Sequence, residues 1–173
     1  QYKRWVSSYS AGCESASRVE CPAKYTLAKV GIGSNLTCDK STDTWYGPGT
    51  TFTFSNPVGF GTDGEWKASS FEYKWNQNAT ESWSTAGTAW SSGTISPTPA
   101  EGDNYLHVRA FSGDGVPNNT GAVSYGPFKY DATDPTPASA YSTSFDANGV
   151  KINFGTGEDT LSGLHTGGAY KVT

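Results

Sequence analysis

Charged residues are scarce in this chain of 173 residues, and long hydrophobic runs are missing. Only 16% of the residues are charged, and the 12 Lys and Arg residues are scattered along a chain of net charge −4. The sequence therefore offers no basic patch for nucleic acid or for an anionic membrane surface. No stretch of about 18 apolar residues could cross a bilayer as a helix. We expect no nucleic-acid partner and no membrane insertion.

Methionine is missing altogether, including from the first position. The chain begins at Gln1, and it contains no secretory signal pattern. We therefore expect these residues to be a processed product or part of a longer chain.

Cysteine is also scarce. Cys13, Cys21 and Cys38 lie in the first quarter of the chain, at spacings that fit neither a C-x-x-C zinc site nor a redox motif. One disulfide with one odd thiol is the simpler interpretation, and a bond from the third cysteine to another chain is the alternative. The spacing does not indicate which two cysteines pair. We expect residues 1–46 to form a small, disulfide-bearing β segment.

Glycine and aromatic residues, in contrast, are plentiful. The chain has 21 glycines and is 14% aromatic, a composition typical of a β-rich secreted protein with many turns. Two stretches alternate with a period of two: residues 51–55, with Phe52 and Phe54 on one face, and residues 71–76, with Trp75 on the apolar face. No segment has a helical period, so the sequence predicts an all-β fold.

A predicted strand pair lies at the centre of the chain. Asn104–Ala110 places Leu106 and Val108 on one face, and the strand-like run 121–130 follows it. Residues 131–137 then contain two prolines, which end the strand. We interpret this stretch as a strand pair that leads into a linker.

These residues resemble a known family. Tyr-Leu-His-Val-Arg-Ala, Tyr-Gly-Pro-Phe-Lys-Tyr-Asp and Thr-Asp-Pro-Thr are similar to the last two strands and exit linker of bacterial extracellular Ig-like or fibronectin-type-III-like repeats. The resemblance covers roughly residues 50–135 and implies a β-sandwich over residues 47–134, with Trp75 packed between its sheets. Asn104 departs from the pattern, since these repeats often carry a tyrosine there.

An internal repeat extends this interpretation to the end of the chain. Phe-Gly-Thr followed by Tyr-Lys occurs at Phe60 and Tyr73, and again at Phe154 and Tyr170. Residues 135–173 therefore read as a linker and the first strands of a second sandwich, including 150–154 and 168–172. The apolar side chains at 150, 152 and 154 would then face no partner sheet, so we expect either a longer natural chain or strands supplied by another chain.

Catalytic residues are not evident. His107 and His165 have no second ligand at metal spacing, and the alternation places His107 on the solvent face, opposite Leu106. No carboxylate pair and no G-x-S-x-G elbow are recognisable. We expect a protein without enzymatic activity.

Calcium is the one metal for which the sequence offers ligands. Asp131 and Asp134 in the linker, and Glu158 and Asp159 after a Gly-Thr-Gly loop, supply oxygen atoms of the kind that Ca²⁺ binds in clusters. The simpler interpretation is that these residues cap turns without a metal. No other cofactor is expected.

Three tryptophans outside the clear strands are candidates for binding a sugar. Trp66, Trp83 and Trp90 lie in stretches rich in Ser, Thr and Gly, and an exposed indole ring can stack on a pyranose. The simpler alternative is that they close the ends of the sandwich.

The sequence thus predicts a non-catalytic structural or adhesive module of a secreted or cell-surface protein. It would be a spacer or subunit of a surface stalk, fibre or pilus-like appendage, with other copies or further repeats of the same protein as partners. The alternative is a carbohydrate-binding module attached to a secreted glycan-active enzyme, with glycans as partners.

Overall fold

The computed structural model describes residues 36–61, 68–111, 115–137 and 141–164, together with the backbone of four short strands between residues 5 and 20. The described residues form strands, turns and loops without a helix, and none of them belongs to a helix long and apolar enough to cross a membrane. The protein is all-β, with several antiparallel and mixed sheets. The predicted fold class is confirmed at this level.

The N-terminal strands form two small ladders. They are β1 (Trp5–Val6), β2 (Tyr9–Ser10), β3 (Cys13–Glu14) and β4 (Val19–Glu20). β1 pairs with β4, and β2 pairs with β3, both antiparallel.

Eight strands form the two sheets of the central unit. They are β5 (Thr37–Cys38), β6 (Trp45–Tyr46), β7 (Phe54–Ser55), β8 (Ser70–Asn76), β9 (Thr88–Trp90), β10 (Thr94–Ile95), β11 (Gly102–Phe111) and β12 (Val123–Tyr130). One sheet has the order β10-β7-β5 and the other has the order β6-β12-β11-β8-β9. All neighbours are antiparallel except β6 and β12, which run parallel. A separate hairpin follows, formed by β13 (Tyr141–Asp146) and β14 (Gly149–Phe154).

Strand pairing links the end of the predicted N-terminal segment to the central unit. β5 and β6 lie within the predicted N-terminal segment 1–46, yet β5 pairs with β7 and β6 pairs with β12. Hydrogen bonds between distant strands thus join the strands at 37–38 and 45–46 to the central sheets. The domain boundary at residue 47 stays a prediction.

Aromatic rings fill the space between the two sheets. The ring centroid of Phe54 lies 5.8 Å from that of Trp75 and 5.2 Å from that of Phe128, and Phe52 lies 5.9 and 5.6 Å from the same two rings. Phe54 belongs to one sheet, and Trp75 and Phe128 belong to the other. The predicted position of Trp75 between the sheets is confirmed. The buried apolar residues are Leu36, Phe52, Phe54, Ala68, Phe71, Trp90, Leu106, Val108, Ala110 and Phe128.

Asn104 ties the start of β11 to the chain before it. Its side-chain amide donates to the carbonyl oxygens of Ala100, Gly102 and Phe128, at 2.7, 3.0 and 3.3 Å, and its Oδ1 accepts from the backbone N–H of Ala100 at 2.9 Å. The side chain is buried, so water does not compete for these bonds. Asn104, which stands where the resemblance leads one to expect a tyrosine, thus has a structural role of its own.

A bulge follows Asn104, where the register between β11 and β12 shifts. The extra residue is on β12, where Gly126 has a φ of 141°, and a Cβ at this position would come within 2.7 Å of the carbonyl oxygen of Asn104. Only glycine fits this close approach without a shift of the backbone.

Candidate functional site

The linker after β12 is held by hydrogen bonds on both sides. The carboxylate of Asp131 accepts from the backbone N–H of Thr133 and from that of Ser162, each at 3.0 Å. Further along, Thr136 and Glu158 exchange backbone bonds of 2.8 and 3.2 Å. These contacts join the end of β12 to the loop that follows the β13–β14 hairpin, and we call this region the joint.

Asp131 is ionised over the physiological pH range. Hydrogen bonds from Ser162 and from the Thr133 backbone hold the pKa of its carboxyl below the usual value, and this outweighs the opposing effect of burial. A carboxyl whose pKa is lower in the folded chain than in the unfolded chain stabilises the fold at a pH above the unfolded-chain pKa. That stabilisation is lost as the pH falls through the folded-chain pKa. The joint is therefore expected to weaken only in acid.

The four carboxylates predicted as calcium ligands come together at this joint. They line one cleft of about 130 Å³, although the two pairs are separated by more than twenty residues in sequence. The residues around the cleft are Asp131, Thr133, Asp134, Thr136, Glu158, Asp159, Thr160 and Leu161.

Two of these carboxylates, those of Asp131 and Asp159, cap turns. Asp159 accepts from the backbone N–H of Leu161 and from the hydroxyl of Ser162, both at 3.0 Å, and Asp131 is occupied as described above. Within the described part of the chain, no three His, Cys, Asp or Glu side chains are placed to hold a metal ion. Calcium binding remains a prediction from residue types.

The β13–β14 hairpin exposes one apolar face. Tyr141 pairs with Phe154, Phe145 with Val150, and Thr143 with Ile152, so that all six side chains project to the same side of the two-stranded sheet. All are exposed. Strands lie where the internal repeat predicts the start of a second sheet; residues 168–172, predicted as a further strand, lie outside the described residues.

The structure provides no open aromatic platform among the predicted sugar-binding tryptophans that it describes. Trp90 is 2% exposed, and its ring packs 5.6 Å from Phe60 and 5.4 Å from Phe71. Trp90 is thus a core residue, in line with the simpler alternative. Trp83 is half-buried, with two cations against its ring. Trp66 lies outside the described residues.

A polar layer that is mostly half-buried covers the outer face of the five-stranded sheet. Trp83 lies with its ring centroid 4.6 Å from the guanidinium of Arg109 and 5.2 Å from the ammonium of Lys74. Arg109 bonds Glu72 at 2.5 Å, and Lys74 bonds Glu81 at 2.9 Å. The opposite charges on neighbouring strands β8 and β11 are the signal in the sequence that points to this layer.

His107 belongs to this layer, and the prediction that it is solvent-exposed is wrong. It is fully buried, since residues 77–87 fold over the sheet face that alternation assigned to water. Its Nδ1 lies 2.6 Å from the hydroxyl of Ser124, and its Nε2 lies 3.1 Å from Oδ1 of Asn76. Because an amide oxygen only accepts, Nε2 carries the proton in the neutral ring.

Stability is expected to fall as the pH is lowered through the titration range of histidine. Burial lowers the pKa of His107, and this outweighs the attraction of nearby Glu81. The unfolded chain, with a histidine pKa of about 6.5, then binds the proton more readily than the folded chain. The contribution of His107 to the free energy of unfolding is thus complete above the unfolded-chain pKa. Below that pKa it is lost by at most about 1.4 kcal/mol per pH unit.

Urea denaturation from pH 8 to pH 5 of the wild type and of His107→Gln tests this pH dependence. The difference in unfolding free energy between the two proteins should shrink toward pH 5, because glutamine does not titrate. A difference that stays constant with pH would contradict it.

The thiol of Cys38 is free. Partial burial raises its pKa to about 11, so the thiol is protonated and unreactive at neutral pH. Cys38 therefore forms no disulfide within the chain, and the alternative of a bond to another chain stays a prediction. Cys21 and the side chain of Cys13 lie outside the described residues.

Comparison with known proteins does not assign a class beyond the fold. No family model, no curated protein and no solved structure matches the chain. The fold is that of an all-β protein with antiparallel and mixed sheets. Its candidate functional features are the hydrogen-bonded joint and the exposed apolar face of the β13–β14 hairpin.

Proposed function

We propose that this chain is a non-catalytic structural or adhesive module of a secreted or cell-surface protein, built as an Ig/fibronectin-III-like sandwich that bears tension between its ends. Sheets of three and five strands that face each other around Trp75 support this fold. As a spacer in a stalk, fibre or pilus-like appendage, it would bind other copies or further repeats of the same protein.

The observation that carries the proposal is the parallel pairing of β6 with β12. Trp45 lies opposite Lys129, and Tyr46 lies opposite Tyr130. Backbone bonds flank the pair, from Asp43 to Pro127 and from Asp131 to Tyr46, both 3.0 Å long. Tension applied to the chain pulls β6 toward its N-terminal end and β12 toward its C-terminal end. In a parallel pair these directions oppose each other, so all the bonds are loaded together in shear.

The joint supports the same role. Asp131 follows β12 directly, and its bonds to Thr133 and Ser162 limit the freedom of the linker. A spacer whose segments are held in register keeps its length under load better than one with a free hinge. The carbohydrate-binding alternative requires an open aromatic face, and the packing of Trp83 and Trp90 gives it no support.

Single-molecule pulling tests the proposal. The central unit should unfold at a higher force when held at the two chain ends than when held at residue 48 and the C-terminus. Residue 48 lies in an exposed loop after β6, so the second geometry leaves β6 outside the loaded path.

The control is the urea midpoint of the protein carrying an attachment group at residue 48, which should equal that of the wild type. Equal unfolding forces in the two geometries would overturn the tension-bearing role.

A further inference from the structure

The apolar face of the β13–β14 hairpin is large for an isolated surface. Tyr141 is 75% exposed, Phe145 is 79%, Val150 is 59%, Ile152 is 43% and Phe154 is 47%. An aromatic side chain offers roughly 150–250 Å², so the face amounts to on the order of 600 Å². Monomeric proteins seldom leave so large a contiguous apolar patch in water, and patches of this size usually mark a contact site.

The other face of the same hairpin is polar. Ser142, Ser144, Lys151 and Asn153 project to that side by alternation. The apolar face itself carries no charged side chain, so a partner can cover it without burying a charge. One apolar face and one polar face are typical of an antiparallel sheet that packs its apolar face against other residues.

We propose that this face is the contact through which two copies of the chain associate. An area of on the order of 600 Å² per copy reaches the lower limit of specific interfaces, which bury about 1,200 Å² or more in total. A neutral apolar patch is complementary to itself, and a two-fold axis would stack the hairpins face to face as a small four-stranded sandwich. A charged partner would be selected by complementary charge, which this face does not offer.

The inference names a surface through which the other copies expected under the proposed function would bind, and it rests on no other part of that function. The resistance of the central unit to force is measured on single molecules, whereas association is measured as a mass in solution. Failure of one leaves the other standing.

Sedimentation equilibrium of the 173-residue chain over a range of concentrations tests the contact. The wild type should approach twice its 18.3 kDa mass as its concentration rises. Phe145→Glu places a charge in the apolar face and should weaken association about 100-fold. Ser144→Glu adds the same charge on the polar face of the same strand, and this variant should associate as the wild type does.

Hydrogen exchange of the wild type tests the contact without a substitution, because a variant that unfolds the hairpin would also lose association. Backbone amides of residues 141–154 should become more protected as the protein concentration rises. A wild type that stays monomeric, association equal in both variants, or growth to open oligomers would each overturn the proposal. So would protection that does not change with concentration, because residues of the same chain would then cover the face.

Discussion

Replacement of Asn104 by alanine should lower the free energy of unfolding by about 3 kcal/mol. The side chain is 1% exposed and makes four hydrogen bonds to backbone groups. Its removal leaves the carbonyls of Ala100, Gly102 and Phe128 without that donor, and each polar group left unsatisfied in a buried place costs about 1–3 kcal/mol. Not all of that cost is incurred, since some of the groups bond water once the side chain is gone.

Urea denaturation followed by tryptophan fluorescence measures this loss. Asp103→Ala is the matched control, because it removes the neighbouring side chain from the same strand and should change stability by no more than about 0.5 kcal/mol. Asn104→Asp should be at least as damaging as alanine at neutral pH, since a carboxylate would face the three carbonyl oxygens. A loss below about 1 kcal/mol for Asn104→Ala would mean that water replaces these bonds fully.

The second large effect is expected at Arg109. Its Nε and a terminal nitrogen both donate to Glu72, at 2.6 and 2.5 Å, and its other terminal nitrogen donates to Asn119 at 2.9 Å. Only about a tenth of each side chain of the ion pair is exposed. Arg109→Ala should therefore cost about 3 kcal/mol, because the carboxylate of Glu72 would be left without its partner and the ring of Trp83 without its main cation.

A double-mutant cycle separates the ion pair from the packing. Glu72→Gln combined with Arg109→Met should cost less than the two single changes added together, because neither variant group then leaves a buried charge alone. Additive losses would show that the pair contributes no more than its separate contacts. Trp83 fluorescence should shift in every variant that removes Arg109, and in none that changes Glu72 alone.

Asn104 and Arg109 both lie on a strand that the sequence predicts, but their partners follow only from the fold. Alternation located β8, β11 and β12 to within about two residues at each end, and it placed Leu106, Val108 and Trp75 on the core side. The pattern of one strand depends only on its own residues, so it can be recognised locally. Asn104 was recognisable as a departure from the repeats that the sequence resembles, but the four backbone groups that it bonds were not.

The candidate site was predictable only in part. Asp131, Asp134, Glu158 and Asp159 were named from their chemistry, and the fold brings them to one cleft. Their hydrogen bonds to Thr133, Leu161 and Ser162 are settled by the path of the loops, and residue types contain no information about those paths. Trp90 could not be assigned to core or surface either, because it lies in a strand of three residues.

By itself the sequence determined an all-β chain, the longest strands, their apolar faces, the linker and the apolar face of the strand at 150–154, since each follows from alternation or from turn residues within a short stretch. The tertiary structure decided which faces meet water. His107 and Arg109 lie on the polar side of β11, yet residues 77–87 cover them, because burial depends on segments far apart in sequence. The tertiary structure also decided that β6 runs parallel to β12, because a pairing between strands about eighty residues apart leaves no local pattern in the sequence.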